Sequence, residues 1–440
     1  MNHEAGPCSG RMLRAGPHVV LLGSAFPGRP EAGIDRVHVR RALSLAARVS
    51  VVVVVPTPCT PPGLAGPSGR WARYAATPRR AEIDGVRLLF PRYLQAPGMG
   101  PWAGVTMALG SMTTVRSLRR DGRCDVLFAQ AVLPEGLAAV LLGRRLGVPV
   151  AVLGRGTDVH GLSRASATTR WLAAWALRRT GAVGVVAEAL RRTLDGLGGG
   201  APCTVLPNGV DLERFVPGCA RDARHALGIA EEARLILYVG RLADGKGLDT
   251  LLEAFGTLRT PVPHALLALV GSGPLQARLE RRVLADGMAR SVRLAGEAPH
   301  HAIPRWMQAA DVVVLPSEAE GMPNVVREAL ACGRPVVATP VGDVPDLLGV
   351  DAGLLVPPTS SGALAEALAT VLARRWDPAR IRAHVSDMTW ERSAEATARF
   401  LASVVEAALA ADSQQSSAPQ APAALAADFR QTSAPEAPAA

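Results

Sequence analysis

The chain has 440 residues, of which 48% are hydrophobic and 4% aromatic, and its formal net charge at pH 7 is +10. This length suggests more than one domain, each large enough to bury its own core. The six cysteines are scattered, without the spacing of a zinc site, which fits a reducing cytoplasm. Residues 1–17 lack the apolar run of a signal peptide, and no apolar stretch is continuous enough to span a membrane.

Positive charge is concentrated in the first part of the chain. Residues 1–200 carry 26 Arg against 11 acidic residues, whereas residues 201–440 carry 22 Arg and Lys against 27 acidic residues. Such a basic half can attract nucleic acid, an anionic membrane face or an anionic substrate. No nucleic-acid module is present, and the few aromatic residues are not interleaved with arginines, so nucleic acid is not an expected partner. Peripheral contact with an anionic membrane, an anionic acceptor and plain solvation stay open.

Strands alternate with helices along residues 18–210. Buried strands are predicted at 18–22, 49–55, 125–129, 150–153, 182–187 and 204–206, and helices at 37–48, 136–146, 170–179 and 188–197. This alternation is typical of a parallel α/β sheet. The loop after the first strand is rich in glycine but has no GxGxxG pattern, so dinucleotide binding has no support. That loop either only connects the first strand to the first helix or borders the cleft between the two domains.

A second alternation begins after the turn Pro207-Asn208-Gly209, where we place the domain junction. Its strands are predicted at 235–239, 265–270, 292–294, 311–315, 335–339 and 354–356, which makes residues 211–389 a second parallel α/β domain. A long amphipathic helix is predicted at 390–410. The Ala/Pro-rich tail 411–440 has too little apolar surface to order itself, and residues 1–17 are expected to be flexible.

Two carboxylates, Glu320 and Glu328, flank the start of a helix after the strand 311–315. The residues between them that would line the turn are Gly321, Met322, Pro323 and Asn324. Free N–H groups at a helix N-terminus attract anions, so this turn suits an anion together with several hydroxyls. The alternative is structural, with Glu320 capping the helix and Glu328 a solvated helix carboxylate.

Other residues of the second domain should face the same edge, because ligands of open parallel sheets lie beyond the carboxyl ends of the strands. Gly240 and Arg241 follow one strand, and Gly271 and Gly273 follow the next. Lys246 also lies there and is the only lysine, since 47 of the 48 basic residues are Arg. The ammonium group of lysine is a compact point charge, whereas the guanidinium group of arginine is planar and forked. The retained lysine therefore indicates a position where a guanidinium group would not function. Chance retention is the alternative.

This edge combines two cations, a glycine-lined wall, a helix N-terminus and two carboxylates. The combination predicts a pocket for a nucleotide diphosphate sugar. Arg241 and Lys246 would neutralise the diphosphate, while Glu328 would accept hydrogen bonds from ribose and Glu320 would meet the sugar. Fixed cations and backbone N–H groups can stabilise a leaving diphosphate without a metal ion, and no Asp-x-Asp cluster is present to hold one. We therefore expect neither a metal site nor a cofactor.

These residues resemble the retaining glycosyltransferases of family 4. The resemblance is carried by Val239 to Leu242 with Lys246-Gly247, by the spacing Glu320-x7-Glu328 and by the run Pro335 to Gly342, and it covers about residues 18–410. It implies the GT-B fold, in which two Rossmann-like α/β domains with parallel sheets face each other across a cleft. The second domain then binds the nucleotide sugar, the C-terminal helix packs back on the first, and transfer retains the anomeric configuration.

Pro134-Glu135-Gly136 and Arg155-Gly156-Thr157-Asp158 are similar to the subgroup that builds teichuronic acids and exopolysaccharides. The resemblance implies transfer of a sugar to a glycan or lipid-linked acceptor in cell-surface polysaccharide synthesis. Such an enzyme would be cytoplasmic, or peripheral at the inner face of the plasma membrane. The expected acceptor-side residues are Gly33, Arg155, Asp158 and Asn208.

Two departures from the family pattern bear on the site. Many members carry a histidine, often considered catalytic, where this chain has Arg155, so Asp158 or His160 is expected to take that role. Asp343 follows Gly342 where a second glycine is usual, and it either narrows the loop near the sugar or is an exposed turn residue. A nucleotide-sugar epimerase of the same fold, and a degenerate transferase acting as a non-catalytic assembly subunit, stay open as alternatives.

Overall fold

The computed structural model describes residues 16–24, 26, 37–59, 69–96, 99–163, 165–196 and 200–417. Several of the sequence predictions fall on other residues. Gly33 and most of the loop after the first strand, residues 1–15 of the expected flexible N-terminus and residues 418–440 of the expected disordered tail lie outside the described residues.

The first half of the chain builds an eight-stranded sheet in the order β10-β9-β8-β7-β1-β2-β5-β4. The strands of the first half, including two that lie outside this sheet, are β1 (His18–Leu22), β2 (Ser50–Val54), β3 (Thr57–Cys59), β4 (Arg80–Ile83), β5 (Val86–Leu89), β6 (Arg92–Leu94), β7 (Val126–Ala129), β8 (Val150–Gly154), β9 (Ala182–Val185) and β10 (Cys203–Val205). Neighbouring strands of this sheet are parallel except β4 and β5, while β3 and β6 form a separate parallel pair. The parallel sheet follows from the strand and helix alternation in the sequence.

Helices connect these strands. They are α1 (Val37–Ala46), α2 (Gly69–Ala75), α3 (Ala103–Arg120), α4 (Leu137–Leu146), α5 (Thr157–Ser163), α6 (Ala167–Leu177) and α7 (Glu188–Asp195), with a π-helical turn at Val132–Gly136. Helix α3 packs against α4 and β6 and buries Met107 and Val115 completely, which gives a packing reason for the absence of charged residues between 95 and 115. Over the part of the chain that the structure describes, no helix combines the length and apolarity of a membrane span.

The second half builds a six-stranded parallel sheet in the order β13-β12-β11-β14-β15-β16. The strands are β11 (Arg234–Val239), β12 (Ala265–Val270), β13 (Val292–Gly296), β14 (Val312–Leu315), β15 (Val336–Ala338) and β16 (Gly353–Leu355). The helices are α8 (Ala220–Leu227), α9 (Leu248–Leu258), α10 (Gln276–Ala285), α11 (Ile303–Ala309), α12 (Asn324–Ala331), α13 (Val344–Leu347), α14 (Ser361–Ala373) and α15 (Pro378–Ala383).

Both faces of this second sheet are covered by apolar cores. Along β11, Leu235 and Leu237 belong to one buried cluster, whereas Ile236 and Tyr238 belong to the other. Side chains of a strand alternate between faces, so a strand buried on both sides needs apolar residues throughout. This is the physical reason why the strands of this half read as uninterrupted apolar runs.

The last helix, α16 (Trp390–Ser417), packs on the first sheet although it follows the second half in sequence. Its residue Phe400 lies against Phe128 of β7, with the ring centroids 6.4 Å apart. The helix ends at Ser417 rather than at 410, so the first residues of the expected disordered tail are helical. Ala-rich sequence propagates easily once packing has nucleated a helix, which accounts for this extension.

The chain passes between the two halves at two places that lie side by side. Val210 donates its backbone N–H to the carbonyl of Met388 at 2.8 Å. The guanidinium of Arg41, from α1, donates to Oδ1 of Asn208 at 2.7 Å and to the carbonyl of Leu206 at 3.1 Å. Burial lowers the pKa of Arg41 to about 10. A buried cation with these partners fixes the first crossing to the first sheet.

We predict that Phe400→Ala lowers the free energy of unfolding by about 3 kcal/mol, because it empties a buried aromatic site between α16 and β7. Urea denaturation followed by circular dichroism measures the change. Arg399→Ala changes an exposed side chain one position away and should stay within about 0.5 kcal/mol of the unmodified protein. Equal stability of the two variants would contradict the packing of α16 described here.

Candidate functional site

The second sheet has a topological switch point between β11 and β14. Strands β12 and β13 lie on one side of β11, whereas β14, β15 and β16 lie on the other. The loops that leave β11 and β14 therefore diverge and open a crevice, which is where open α/β sheets bind their ligands. Lys246 lies on the first of these loops and Glu320 on the second.

Lys246 and Glu320 meet across this crevice. Nζ of Lys246 is 2.5 Å from Oε1 of Glu320, and Oγ of Ser317 donates to the same oxygen at 2.8 Å. Glu320 does not cap α12, because the N-cap residue is Pro323 and no side chain caps that helix end. An ammonium carries three N–H donors, so Lys246 can hold Glu320 and still donate to the oxygens of a ligand.

Arg241 extends the same loop and is exposed. Among the described residues its guanidinium has no hydrogen bond or ion pair, so it is available to an anion. The two predicted wall glycines have a different role. A Cβ on Gly271 would lie 1.9 Å from the carbonyl oxygen of Gly240, and one on Gly273 would lie 2.2 Å from that of Leu242. Their missing side chains let two loops of the protein pack together, rather than making room for a ligand.

Glu328 does not project into solvent. Its Oε1 lies 3.0 Å from Nε2 of His300, and the His300 ring packs edge-on against Phe215. Glu328 and Asn324 line a small cavity together with Val37 and Arg40 of the first half. Sequence reasoning missed His300, because its loop lies far from α12 along the chain.

Asp343 departs from the family pattern and is buried rather than an exposed turn residue. Its carboxylate contacts the guanidinium of Arg327, which is buried in α12. Burial lowers the pKa of Arg327 to about 9. Removing either partner would leave a buried charge unpaired, so the two residues have to be considered together. The pair fixes the loop after β15 to the helix that follows Glu320.

The loop after β8 in the first half touches the loop of Glu320 through backbone alone. A Cβ on Gly321 would lie 2.4 Å from the carbonyl oxygen of Arg155, and one on Gly156 would lie 2.7 Å from Cα of Gly321. On the other side, Gly342 has a φ of +60°, and its Cβ position would be 2.4 Å from the carbonyl oxygen of Gly321. Three glycines therefore allow this approach, which the sequence did not predict.

Asp158 and His160, which are expected to take the role of the family's histidine, have different surroundings. His160 reaches across to the second half, where its Nε2 is 2.9 Å from the carbonyl oxygen of Glu320. The carboxylate of Asp158 accepts three backbone N–H groups, from Val132 at 3.0 Å, Arg155 at 2.9 Å and Gly156 at 3.1 Å. Asp158 thus shapes the loop, while His160 lies next to the predicted sugar position.

The other expected acceptor-side residues occupy the junction and the first sheet. Asn208 is buried and donates through Nδ2 to Oδ1 of Asn324 at 3.0 Å, and its backbone N–H points to Sδ of Met322. It ties the interdomain crossing to the start of α12. Arg155 lies against His38, with Nη1 2.9 Å from Nε2 of the imidazole. Burial lowers the pKa of Arg155, and the nearby carboxylates of Asp158 and Glu135 act against that shift.

The match to known proteins covers both halves of the chain. Residues 10–214 match the family described as Glycosyltransferase Family 4, and residues 233–374 match Glycosyl transferases group 1. A D-inositol 3-phosphate glycosyltransferase of Catenulispora acidiphila is 30% identical over 410 residues, which cover 81% of this chain and 94% of the relative. The chain belongs to glycosyltransferase family 4.

The chain is also similar to two further proteins, one in sequence and one in fold. TuaC of Bacillus subtilis, named for teichuronic acid biosynthesis, is 29% identical over 353 residues, 80% of this chain and 88% of its own length. The crystal structure of Anabaena HepE in complex with UDP and glucose superposes with a TM-score of 0.63 at 19% identity and covers 91% of this chain and all of that one. This likeness confirms the GT-B fold.

Across the described residues, no three His, Cys, Asp or Glu side chains are grouped as metal ligands.

We predict that Gly321→Ala lowers kcat/KM for sugar transfer on the order of 10²-fold, because the new methyl group would push the Glu320 loop away from Arg155 and Gly156. Steady-state kinetics with the sugar donor that the enzyme uses measures this loss. Gly161→Ala is the matched control, since a Cβ there meets nothing within 4 Å. Unchanged kinetics in Gly321→Ala would show that the loop contact is not needed for transfer.

Proposed function

We propose that this glycosyltransferase moves a sugar from a nucleotide diphosphate donor to a glycan or lipid-linked acceptor in cell-surface polysaccharide synthesis, with retention of configuration and without a metal ion. The observation that carries the proposal is the contact of Lys246 with Glu320 at the switch point of the second sheet. The UDP and glucose in the HepE complex support a nucleotide-sugar donor. The name of TuaC supports a role in cell-surface polysaccharide synthesis.

The charges at the crevice suit departure of a diphosphate. Lys246 and Arg241 are cations on one loop, and the uncapped N-terminus of α12 faces the same crevice with its free N–H groups. Negative charge that develops on the leaving diphosphate would be stabilised by groups that are already in position. Glu320 is held by Lys246 and Ser317, so its carboxylate can accept a hydroxyl of the transferred sugar.

The remaining residues divide the donor and acceptor roles. We assign Glu328 to the ribose hydroxyls, because carboxylates accept hydrogen bonds from hydroxyl groups. His160 lies beside the backbone of Glu320 and is therefore the first-half side chain that we place nearest the reacting sugar carbon. In a retaining transfer the acceptor oxygen approaches the face from which the diphosphate leaves. The contact of Gly156 with Gly321 brings the acceptor side and the donor side close enough for that approach.

We predict that Lys246→Arg lowers kcat/KM for the nucleotide sugar on the order of 10²-fold, because a longer, planar guanidinium cannot keep the Glu320 contact and the diphosphate contact together. A thermal-shift screen of UDP, GDP and other nucleotide sugars first identifies the donor. Arg278→Lys, a conservative change at an exposed ion pair with Asp249, is the control and should remain within about twofold. Near-normal activity of Lys246→Arg would refute the assigned role.

The same assay separates the alternative functions. An epimerase would convert the donor sugar with no acceptor present, and product analysis distinguishes that reaction from simple hydrolysis. A non-catalytic assembly subunit would bind a nucleotide sugar in calorimetry without turnover on any acceptor of a panel. Transfer that requires an acceptor, with the anomeric configuration of the product read by NMR, is the outcome expected here.

We also propose that the first half contacts the cytoplasmic face of the membrane. Among the described residues of the first half, four large apolar side chains are exposed, namely Leu94, Trp102, Leu109 and Trp171. The turn that carries Trp102 packs on α6, which carries Trp171. Tryptophan suits the boundary between lipid and water, and the excess of arginine in residues 1–200 would attract anionic headgroups.

We predict that the double variant Trp102→Ser/Trp171→Ser lowers the fraction of protein bound to vesicles with 30% phosphatidylglycerol by about fivefold, because apolar burial and charge act together at such surfaces. Co-sedimentation at increasing salt measures binding. The control Leu284→Ser/Val350→Ser removes two exposed apolar side chains from the second half and should bind as the unmodified protein does. Binding that is insensitive to anionic lipid and to salt would refute the proposal.

A further inference from the structure

The carboxylate of Glu328 has an imidazole as its side-chain partner. His300 begins a short 3₁₀ turn in the loop after β13, and its Nε2 lies 3.0 Å from Oε1 of Glu328. A ligand can reach both side chains, because that of His300 is 32% exposed and that of Glu328 is 14% exposed. Both also line the small cavity at the boundary of the two halves. The pair therefore belongs to the accessible surface of the candidate site rather than to a closed core.

The second ring nitrogen of His300 indicates where the ring proton lies. Its Nδ1 is 3.4 Å from Nη1 of Arg214. A guanidinium group donates hydrogen bonds and accepts none, so Nδ1 accepts this one. The proton of the ring is then on Nε2, because the partner of one imidazole nitrogen sets the role of the other. His300 thus donates its Nε2–H to the Glu328 carboxylate.

The turn that follows the domain junction holds this imidazole from two sides. The ring of Phe215 is buried and meets the His300 ring edge-on, with the centroids 5.4 Å apart. Asp211 fixes the turn, since its carbonyl oxygen accepts the backbone N–H of Phe215 at 2.9 Å and its carboxylate accepts that of Arg214 at 3.0 Å. Arg382 donates to the carbonyl oxygen of Phe215 at 2.6 Å. A different orientation of the imidazole would disturb these contacts.

The same turn is joined to the first half of the chain. Nη2 of Arg40, on α1, lies 3.2 Å from Oδ2 of Asp211, and Nε of Arg214 lies 3.6 Å from that oxygen. The Asp211 carboxylate therefore connects a helix of the first half with the arginine that contacts His300. The orientation of the imidazole depends on contacts with both halves.

A neutral donor suits a carboxylate that has to bind hydroxyl groups. An ionised carboxylate has two oxygens with about four acceptor sites, and His300 uses one of them on Oε1 of Glu328. A neutral imidazole fixes the plane of the carboxylate without cancelling its charge, and hydrogen bonds to a charged acceptor are the strong ones. Glu320 differs in this respect, because its partner is the ammonium group of Lys246. Hydroxyl groups of a ribose can donate to the remaining acceptor sites of Glu328.

We infer that His300 is a positioning residue for the donor and that it orients the Glu328 carboxylate toward the ribose hydroxyls. The inference deepens the proposed function and depends on it, because the proposed function assigns Glu328 to the ribose. His300 acts through Glu328 and does not itself contact the ribose. Loss of the Nε2–H should therefore weaken the binding of a ribonucleotide and have little effect on a nucleotide that lacks the hydroxyl group concerned.

The test compares a nucleoside diphosphate with its 2′-deoxy and 3′-deoxy forms by isothermal titration calorimetry on the full chain. UDP is the probe, or GDP if the donor screen selects a GDP-sugar. In the unmodified protein we expect at least one deoxy form to bind about tenfold more weakly than the ribose form. His300→Phe keeps a ring beside Phe215 but removes both nitrogens. It should raise the Kd of the ribose form about tenfold and reduce the deoxy penalty to within about twofold.

Two amide variants separate the two nitrogens of the ring. The amide of His300→Gln reaches the position of Nε2 and can again donate to Glu328, so it should restore the Kd of the ribose form to within about threefold. The shorter amide of His300→Asn corresponds to Nδ1, so it can still accept from Arg214 but cannot reach Glu328. It should show the same loss as His300→Phe, and it provides that result if circular dichroism shows that His300→Phe folds poorly.

His384→Phe is the matched control. Nε2 of His384 lies 2.9 Å from Oδ1 of Asp351, so this change also removes an imidazole from a carboxylate of the second half. Asp351 precedes β16 and therefore lies at the edge of the sheet opposite the crevice. The control should bind the ribose and deoxy forms as the unmodified protein does.

The outcomes distinguish the inference from the proposed function. Failure of the unmodified protein to bind UDP, GDP or any nucleotide sugar would overturn the proposed function itself. With nucleotide binding intact, the inference alone is overturned if the unmodified protein binds the ribose and deoxy forms equally. It is also overturned if His300→Phe or His300→Asn weakens all forms by the same factor, or if His300→Gln binds the ribose form no better than they do.

Discussion

The close backbone contact between Gly156 and Gly321 is the constraint on which the arrangement of the two halves depends. Each glycine occupies space that a side chain of the other would need, since a Cβ on either one would fall within 2.7 Å of the facing backbone. Gly342 packs against the carbonyl group of Gly321, and its positive φ angle favours glycine. As a result, the loop that follows β8 in the first sheet and the loop that follows β14 in the second sheet lie in direct contact.

Two sets of buried polar contacts hold the two halves and their loops in this arrangement. Asn208 and Arg41 anchor the interdomain crossing, and Asn208 also bonds to Asn324 at the start of α12. Arg327 and Asp343 anchor the far side of the same helix through a buried ion pair. Such a pair does not by itself indicate high stability, because desolvation offsets much of its attraction. Its effect is on position, since the loop that carries Gly342 cannot shift without separating two buried charges.

The crevice of the second sheet carries the charges that the proposed function uses. Lys246 and Arg241 lie on one loop, near the N-terminus of α12, and such groups favour an anion. In the proposed function this anion is the diphosphate of the donor. The first half keeps buried polar atoms of Gln130, Glu135 and Arg155 without hydrogen-bond partners among the described residues.

Local pattern in the sequence was sufficient for the fold class and for the placement of Arg241, Lys246 and Glu320 on loops that leave strands. Apolar runs separated by helices predict two parallel sheets, because strands covered on both faces must be apolar throughout. The carboxyl-end rule then placed Arg241, Lys246 and Glu320 at one edge. Helix α3 was left open, because Gly104 and Gly110 interrupt its first half, and α5 was missed, because it has only seven residues. Strand order was not readable either, because it depends on which strands pair.

The sequence by itself determined the fold class, the family motifs and the positions of Lys246 and Glu320 on loops that leave strands, since these depend on periodicity and on nearby residues. Only the tertiary structure decided which distant residues meet. It brought His300 to Glu328, Arg327 to Asp343 and Ser24 to Glu135, and it showed that Gly271 and Gly273 accommodate backbone of the protein. The physical reason is that contacts between residues far apart in sequence are fixed by strand order and packing, which no local pattern records.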